Sequence, residues 1–456
     1  MREIWLLRCV GIGAGHVAGP GSAVLTVRTV ARKPGSFTFP LYTCTAAVIV
    51  NKPGKTLFAS GQPGNNPLIP LRFMFKVILC LAVVVASSAL PEAVEITTAI
   101  KDKDWEEYKH KFKKTYKDAD DEKKRHSLFN VAKARVAELN KLNGSPAFGI
   151  NWMSDRYPHE QHKKGLVKPA SFVPTAEVLE AEQARKPKAV DWRLTEAVTP
   201  IKNQGQCGSC WAFSATEAIE SQMILGTGGK VALTLSPQQI ASCAPSTGQY
   251  GCLGCNGGFT EGAYEYVKSA TGLANSDYIP YAQSLTASEP TKACMSTEVQ
   301  QLDGPMQQLT GGYATVSGYH YAVKPCTGMC TGEHQNLKAL AAALEKSPVS
   351  VCVNAGVWND YTGGVMSADA CGAMGAASQD HCVMAVGFNA KAPTPYWIVR
   401  NSWASTWGED GYVYLEMAKN TCGLANDVTV PEVKLGLLNE TEVAIRREGM
   451  YKRATA

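Results

Sequence analysis

The sequence predicts an α+β protein of 456 residues, from two helical patterns and one strand-like pattern. Apolar residues recur at spacings of three and four between Ile100 and Leu142, as in amphipathic helices, and Asn143-Gly-Ser-Pro146 ends the second helix. Another helix is predicted from Cys210 to Gly226 on the same periodicity. The apolar run from His381 to Gly387 is typical of a strand.

Charge is unevenly distributed along the chain. The whole sequence carries +5, but residues 190–432 contain 11 Lys and Arg against 20 Asp and Glu, a net −9. Residues 90–189 carry 20 against 16, a net +4. The acidic part would repel a phosphate backbone, so a nucleic-acid partner is disfavoured. With 45% hydrophobic and 19% charged residues, the composition excludes a disordered chain.

An internal segment, residues 74–89, has the features of a secretory signal peptide. Met74-Phe-Lys76 precedes a short apolar run that ends in Ala86-Ser-Ser-Ala89. The run is shorter than the ~20 apolar residues of a bilayer span, so we expect no stable membrane span. We favour initiation at Met74, with residues 1–73 an upstream extension or a misassigned start. The alternative is an organellar transit peptide in residues 1–73, which are nearly free of acidic residues.

A linker separates the early helices from the large C-terminal part. Residues 166–188 have no clear period and contain three prolines, which indicates an extended, protease-accessible segment. From Ala189 to about Val433 the sequence is rich in Gly, Cys and aromatic residues, and residues 434–456 form a tail.

The segment from Asn203 to Ser214, NQGQCGSCWAFS, combines a turn with a helix start. Ser209 is predicted to cap this helix, and Cys210 falls in its first turn. The helix dipole and the free backbone N–H groups there lower a thiol pKa, as a nucleophile requires. Helix geometry alone does not exclude a half-cystine, because Cys207 is only three residues away.

This segment resembles the active-site stretch of the papain family of cysteine peptidases, whose signature is Cys-Gly-Ser/Ala-Cys-Trp/Tyr. The resemblance implies that Cys210 is the nucleophile and that Gln204 donates to the oxyanion hole. It also implies that His381 is the base and that Asn401, in Asn401-Ser-Trp403, orients its imidazole while Trp403 shields that hydrogen bond.

One departure concerns spacing. His381 lies 171 residues after Cys210, against ~130–150 in the family, which we attribute to insertions between Thr286 and Glu333.

The resemblance implies a papain-like fold of two lobes with a peptide-binding cleft between them. The helical lobe would begin with the Cys210 helix, and a β-barrel-like lobe would carry His381 and Asn401. The expected activity is a cysteine endopeptidase that acts through an acyl-enzyme, with no cofactor or metal.

A peptide ligase using the same acyl-enzyme stays open as an alternative. A non-catalytic inhibitor-like relative also stays open, although the intact catalytic set disfavours it. An exopeptidase of the cathepsin B type is disfavoured, since no occluding-loop histidine pair is evident.

Residues 90–186 resemble the inhibitory propeptide of cathepsin L-like enzymes. Gly149-Ile-Asn151-Trp-Met153-Ser-Asp155 is similar to the motif Gly-x-Asn-x-Phe-x-Asp, with Met153 in place of Phe. The spacing of the companion helix motif is followed by Asp121, Arg125, Phe129, Val136 and Asn140, with Asp for the usual Glu and Val for the usual Ile. Its middle Asn is absent, and Ala132 stands there.

The resemblance therefore implies a zymogen whose propeptide covers the cleft of the peptidase domain, residues 187–433, running opposite to a substrate. The charges of +4 and −9 are complementary. Maturation is predicted between Arg185 and Val190. Acid is expected to loosen the complex, because a carboxylate whose pKa is lowered by pairing loses its charge as pH falls through that value.

For substrate binding, the resemblance places Gly257 and Gly258 against the peptide backbone. It also places an aspartate, Asp427, at the floor of the S2 pocket, which would then take bulky apolar side chains and also Arg or Lys. The alternative is that Asp427 is a surface residue. The pocket walls implied by the resemblance are Phe259, Thr260, Cys352 and Cys382.

Twelve of the fifteen cysteines lie between Cys207 and Cys422, which fits an oxidising compartment. The resemblance implies the disulfides Cys207–Cys255, Cys243–Cys294 and Cys371–Cys422. Cys352 and Cys382 lie in apolar strand-like runs and are expected to be buried thiols. For Cys252, Cys326, Cys330 and His334 we favour a loop disulfide over a zinc site.

The remaining expectations concern location and partners. The signal peptide and the resemblance imply the secretory pathway, ending in a lysosome, a vacuole or the extracellular space. Two sequons, at Asn143 and Asn439, permit glycosylation there. Expected partners are protein and peptide substrates, the chain's own propeptide and cystatin-like inhibitors.

Overall fold

A computed structural model describes most of the chain from Asp102 onward. The described residues are 102–182, 187–245, 249–270, 272–277, 279–282, 314–328, 330, 335–434 and 448–455, with the backbone of three N-terminal strands. The predicted signal peptide, residues 74–89, lies outside them.

The chain divides into two units, Met1–Thr98 and Ala99–Ala456. In the first unit, β1 (Leu6–Gly15), β2 (Ala23–Arg32) and β3 (Cys44–Val50) form an antiparallel sheet in sequence order.

The second unit opens with the two predicted amphipathic helices, α1 (Lys103–Lys111) and α2 (Ala119–Asn143). The carboxylates of Asp102 and Asp118 accept backbone N–H bonds at the two N-termini, and Gly144 ends α2 in a left-handed conformation, φ 73°. Trp105, Tyr108 and Phe129 form the small core between the helices.

Three helices follow in the first lobe: α3 (Cys210–Gly226), α4 (Pro237–Cys243) and α5 (Thr260–Ser269). Helix α3 has the predicted bounds and is buried on almost every side. Its Glu217 and Glu220 are buried as ion pairs, with Arg400 Nη2 at 3.1 Å and Lys202 Nζ at 2.7 Å. These pairs tie the central helix to the neighbouring lobe without leaving a buried charge unpaired.

The second lobe is built on one sheet of eight strands, with β4 lying beside β8 and the other seven in the order β5-β11-β6-β8-β9-β10-β7. All pairings are antiparallel except that of β10 with β7. The strands are β4 (Ala189–Asp191), β5 (Thr315–Val323), β6 (Val349–Val353), β7 (Val365–Met366), β8 (His381–Asn389), β9 (Tyr396–Arg400), β10 (Tyr412–Glu416) and β11 (Val428–Lys434).

Short elements complete this lobe. Helices α6 (Leu337–Lys346) and α7 (Ala368–Cys371) belong to it, and residues 448–454 are helical. Single 3₁₀ turns occur at Pro158–Glu160, Trp192–Leu194, Gly254–Asn256, Trp358–Asp360, Ala376–Ser378 and Thr421–Gly423. Within the described part of the chain, no helix has both the length and the apolar character needed to span a bilayer.

Helix α3 packs against β8 through specific contacts, which brings the start of each element to one place. Ser214 Oγ on α3 donates to the carbonyl of Val383 on β8 at 2.7 Å. Because α3 begins at Cys210 and β8 begins at His381, this packing sets the geometry of the site.

Candidate active site

Cys210 is the first residue of α3 and is completely buried. The turn before it is held by the predicted disulfide between Cys207 and Cys255. Ser209 occupies the N-cap position, but the capping prediction was wrong in its chemistry: the Ser209 hydroxyl is bonded to the hydroxyl of Tyr281 at 2.7 Å. The N-terminal N–H groups of α3 are therefore left without a Ser209 side-chain acceptor.

His381 is oriented by Asn401, with His381 Nε2 2.8 Å from Asn401 Oδ1. The same Oδ1 accepts the backbone N–H of Ser402 at 2.8 Å, so this atom of the amide is an oxygen. His381 Nε2 must then be the donor, and in a neutral imidazole Nδ1 carries the lone pair. Nδ1 is buried and has no hydrogen-bond partner among the described residues. The ring is thus prepared to accept a proton at Nδ1.

Two tryptophans enclose the His381–Asn401 pair. The ring of Trp403 lies 5.0 Å from that of His381, and the ring of Trp358 meets it edge-on at 5.9 Å. Both tryptophans are completely buried, so water is kept from the hydrogen bond.

The predicted catalytic residues lie together in the structure. Cys210 Sγ accepts the backbone N–H of Cys382, the residue after His381, at 3.4 Å. Cys210 on one lobe therefore lies at the start of β8, where His381 stands on the other lobe with its imidazole held by Asn401.

In this closed state, burial favours the neutral forms of both groups. It raises the pKa of the Cys210 thiol to about 12 and lowers the pKa of His381 to about 4. A charged thiolate and imidazolium cannot be hydrated in this buried site. The desolvation that accompanies burial outweighs the backbone N–H bonds to sulfur, which favour the thiolate.

Gln204 is fixed by three hydrogen bonds. Its Oε1 accepts the hydroxyl of Ser402 at 2.6 Å, and its Nε2 donates to the carbonyls of Cys207 and Lys163 at 2.9 and 2.8 Å. The amide nitrogen of Gln204 therefore points toward the carbonyl of Lys163, in the segment that follows the Pro158–Glu160 turn, as the donor of an oxyanion hole would.

Residues 162–168, which we call the cleft segment, lie across Cys210. Gly165 N–H donates to Cys210 Sγ at 3.2 Å. Val167 N–H donates to Gly258 O at 2.8 Å, and Gly258 N–H donates to Gly165 O at 2.9 Å, in a parallel bridge. The prediction of a linker beginning at residue 166 was wrong for these residues, because their backbone is paired within the cleft.

Gly165 permits an unusually close backbone approach. A Cβ built on it would lie 2.0 Å from the carbonyl oxygen of Gly208, in the loop that precedes Cys210. Gly257 is equally constrained, with φ 120° and a built Cβ 2.5 Å from Val167. Only glycine fits at these two positions.

The side chain of Lys168 enters a pocket that contains two carboxylates. Its Nζ lies 2.6 Å from Asp427 Oδ2 and 2.6 Å from Glu261 Oε1. Both acids are buried, and Phe259 meets Phe172 edge-on at 4.9 Å beside them. The interpretation of Asp427 as a surface residue is wrong, and Glu261 was not predicted.

The pKa of Asp427 is shifted upward, whereas we predicted that pairing with a cation lowers the pKa of a carboxylate. Burial, followed by the neighbouring Glu261, raises the pKa of Asp427 to about 6, although Lys168 opposes the shift. Desolvation and a like charge together outweigh one partner cation here.

Two further residues that were predicted to line S2 are not the buried thiols that were expected. Cys352 and Cys382 are register partners on β6 and β8 and form a disulfide. Thr260 is completely buried, and its hydroxyl donates to Glu261 at 3.2 Å.

The other cysteines mostly follow the predictions. Cys371–Cys422 is a disulfide, as predicted. The loop disulfide that was favoured over a zinc site, without a stated pairing, joins Cys326 and Cys330. Cys243 is disulfide-bonded, but its expected partner Cys294 lies outside the described residues, as does His334. Cys252 is a free, buried thiol.

Residues 147–155, which we call the anchor segment, bind the second lobe. Gly149 N–H donates to Asp360 O at 2.9 Å, and Asn151 Nδ2 donates to Asn359 O at 2.7 Å. Phe148 and Tyr361 form an antiparallel bridge. The predicted Gly-x-Asn motif thus supplies the contacts themselves.

Asp155, the last residue of that motif, holds the helical region together. It is buried, and its carboxylate accepts hydrogen bonds from the Tyr108 hydroxyl and the Lys114 ammonium group at 2.7 Å and from the Tyr116 hydroxyl at 2.9 Å. Arg125, from the helix motif, makes a bidentate contact with Glu160 at 2.7 and 2.8 Å. Both motifs therefore serve folding as well as docking.

The sequon at Asn143 is buried in the interface. Asn143 Nδ2 donates to Val365 O at 3.0 Å, and its Oδ1 accepts Ser367 N–H at 2.7 Å. A glycan on Nδ2 would replace these contacts, so glycosylation of Asn143 is incompatible with this docked state. The second sequon, at Asn439, lies outside the described residues.

The sequence reasoning missed several residues that contact the site. His162 stacks on Trp403 at 5.1 Å with 8° between the rings, and its Nδ1 lies 2.9 Å from Gly205 O. No motif marks His162, Lys168 or Glu261, since each contacts residues at least 40 positions away. For His162 and Lys168, the available signal was the residue type alone, a histidine and a lysine shortly after the Gly-x-Asn motif.

The comparisons with known families agree with this geometry. Residues 186–432 match the family described as "Papain family cysteine protease", and residues 105–160 match "Cathepsin propeptide inhibitor domain (I29)".

Individual relatives cover both regions. Digestive cysteine proteinase 1 of Homarus americanus is 34% identical over 342 residues, which is 72% of this chain and 94% of that protein. Cathepsin L of Sarcophaga peregrina is 30% identical over 77% of this chain and 99% of its own length. Digestive procathepsin L2 from Tenebrio molitor larval midgut has 29% identity and a TM-score of 0.58, covering 72% of this chain and 98% of that structure.

Proposed function

The chain belongs to the papain family of cysteine proteases and is a zymogen with a cathepsin propeptide, and we propose that Cys210, His381 and Asn401 carry its endopeptidase chemistry. The single observation that best supports this is the buried His381 Nδ1, which has no hydrogen-bond partner in the part of the chain that the structure describes, near the free thiol of Cys210 and with Nε2 held by Asn401.

In the proposed mechanism, His381 Nδ1 takes the thiol proton and Cys210 Sγ attacks the scissile carbonyl carbon. The S–C bond forms as the C=O π electrons move to oxygen, giving a tetrahedral adduct. The imidazolium returns its proton to the leaving amine as the C–N bond breaks. Water, deprotonated by His381, then releases the acid and regenerates the thiol.

Gln204 is proposed to stabilise the oxyanion with the backbone N–H of Cys210. Support comes from the fixed amide: Ser402 orients Oε1, so Nε2 is already aimed at a carbonyl, Lys163 O, in the zymogen. The hydrogen bond from such a donor strengthens as negative charge develops on the oxygen, and a donor already in place has no reorganisation cost at that point.

Inhibition by the propeptide is explained by what the cleft segment presents to sulfur. Gly165 offers an N–H group at 3.2 Å, whereas a substrate must offer a carbonyl carbon. The cleft segment thus occupies the site with a backbone N–H group directed at the sulfur.

We further propose that acid opens the cleft through His162. Its ring is 6% exposed, and burial lowers its pKa from 6.5 to about 4, with Arg156 and His381 the charged or titratable groups nearby. The imidazole of His162 takes up a proton near pH 6.5 when the cleft segment is released from the enzyme. It does not do so while the segment is docked. Docking is therefore fully stable above 6.5 and loses about 2 kcal/mol by pH 5.

The remaining assignments follow from the same family. We propose that Gly257, Gly258, Phe259, Thr260 and the Cys352–Cys382 disulfide line S2, with Asp427 available to a basic P2 residue. Maturation is proposed between Arg185 and Val190, around the start of β4. The proposed setting is lysosomal or secreted, where cystatin-like proteins are expected inhibitors. The peptide-ligase alternative uses the same acyl-enzyme, and product analysis with a competing amine separates the two.

Active-site titration with an epoxide thiol reagent tests the proposal. Acid-treated enzyme should take up one equivalent on Cys210, and Cys210→Ala should take up none and lose at least ~10³-fold in kcat. Cys252→Ala is the matched control, since Cys252 is the other free buried thiol in the described residues, and it should still be labelled. Labelling or hydrolysis that survives Cys210→Ala would refute the assignment.

A further inference from the structure

We infer that Glu261 is a specificity-determining residue, which together with Asp427 selects a lysine side chain at P2. The inference rests on the proposed function, because it takes the pocket filled by Lys168 to be the substrate's S2 pocket.

The first argument is placement. Glu261 is the second residue of α5 and Asp427 directly precedes β11, so the two carboxylates come from different lobes. Both lie 2.6 Å from the same ammonium group, that of Lys168. The backbone that presents Lys168 is itself paired with Gly258, through Val167 and Gly165. The lysine thus reaches the pocket from a chain paired in the cleft.

The second argument is that Glu261 is held in position by the enzyme itself. Tyr321 Oη donates to Glu261 Oε1 at 2.9 Å, and Thr260 Oγ1 donates to Oε2 at 3.2 Å. These donors remain when the propeptide leaves. For the carboxylate of Asp427, the described residues supply one ion-pair partner, Lys168, and no hydrogen-bond donor from the enzyme. Glu261 is therefore the preorganised acceptor of the pair.

The third argument concerns the cost of other side chains. An apolar P2 residue would leave two neighbouring carboxylates buried without a cation, which is unfavourable through both desolvation and repulsion. An ammonium ion is a compact charge with three donors and can satisfy acceptors on two sides at once. The pocket thus disfavours Phe and Leu, contrary to the expectation of a bulky apolar S2.

The test measures kcat/KM of the mature enzyme for peptides that differ only at P2, with lysine or with norleucine, its neutral analogue. Glu261→Gln should lower the Lys/norleucine ratio at least tenfold, and Tyr321→Phe severalfold. Glu265→Gln, on the same helix with an exposed side chain, should leave the ratio unchanged within twofold. A ratio in Glu261→Gln within twofold of the wild type overturns the inference.

A second measurement does not depend on that variant folding. A synthetic peptide of residues 160–176 should inhibit the mature wild-type enzyme at least tenfold more weakly when Lys168 is replaced by norleucine. Equal inhibition by the two peptides would overturn the inference. If the inference is overturned in either measurement while Cys210 is labelled and the norleucine substrate is cleaved, only the role of Glu261 is rejected. If neither occurs, the proposed function itself fails.

Discussion

The anchor segment and the cleft segment both bind the enzyme, but by different chemistry. The anchor segment uses backbone bridges and amides, at Phe148, Gly149 and Asn151, to residues 359–361. The cleft segment also pairs its backbone with Gly258, but it adds three side chains with ionisable groups, those of His162, Lys164 and Lys168. Neutral hydrogen bonds do not respond to mild acid, whereas buried ionisable groups do.

The difference suggests a division of labour within one inhibitor. The anchor segment supplies affinity that is nearly independent of pH, helped by the ion pair between Arg135 on α2 and Asp360. The cleft segment supplies steric blockage and pH sensitivity. Acid can then lift the cleft segment while the anchor segment still holds the propeptide, so that opening need not require full dissociation.

The largest expected effect comes from adding a methyl group to each segment in turn. In Gly165→Ala, Cβ would meet the backbone carbonyl of Gly208 at 2.0 Å, and neither group can yield without moving the chain. In Gly149→Ala, Cβ would meet Thr362 Oγ1 at 2.8 Å, the end of a side chain that can rotate. We expect Gly165→Ala to raise labelling of Cys210 in the intact zymogen at pH 7 about 100-fold.

Gly149→Ala should raise that labelling by less than tenfold, and Gly328→Ala, which has open space around it, should not change it. Equal effects of Gly149→Ala and Gly165→Ala would remove the proposed distinction between the two segments.

The members of the proposed catalytic set could be located in the sequence because each lies in a short motif. Cys210, Gln204, His381 and Asn401 each lie in a distinctive local sequence, and the helix spacing predicted α3 with its observed bounds. The Cys352–Cys382 disulfide was missed because it depends on the register between β6 and β8, which an apolar pattern does not define. Glu261 was missed because its partner Lys168 lies 93 residues away, in a segment without periodicity.

The next effect, about 20-fold, belongs to His162. Between pH 7 and pH 5 the released segment gains a proton that the docked segment cannot accept, so labelling of wild-type zymogen should rise by that factor through His162 alone. His162→Gln should lose this rise, with labelling at each pH normalised to the mature enzyme. His159→Gln, three residues earlier at an exposed position, is the control. An unchanged pH profile in His162→Gln would place the acid response elsewhere.

The smallest effect should come from Lys164, which pairs with Asp380 at 2.9 Å near the protein surface. Its side chain is 21% exposed and that of Asp380 is 36% exposed, so water and salt screen the pair. We expect Lys164→Ala to raise labelling of the zymogen only two- to fivefold at low salt, and less in 0.5 M salt. A larger, salt-independent effect would show that this partly exposed pair carries as much of the blockage as the buried contacts of Gly165 and Lys168.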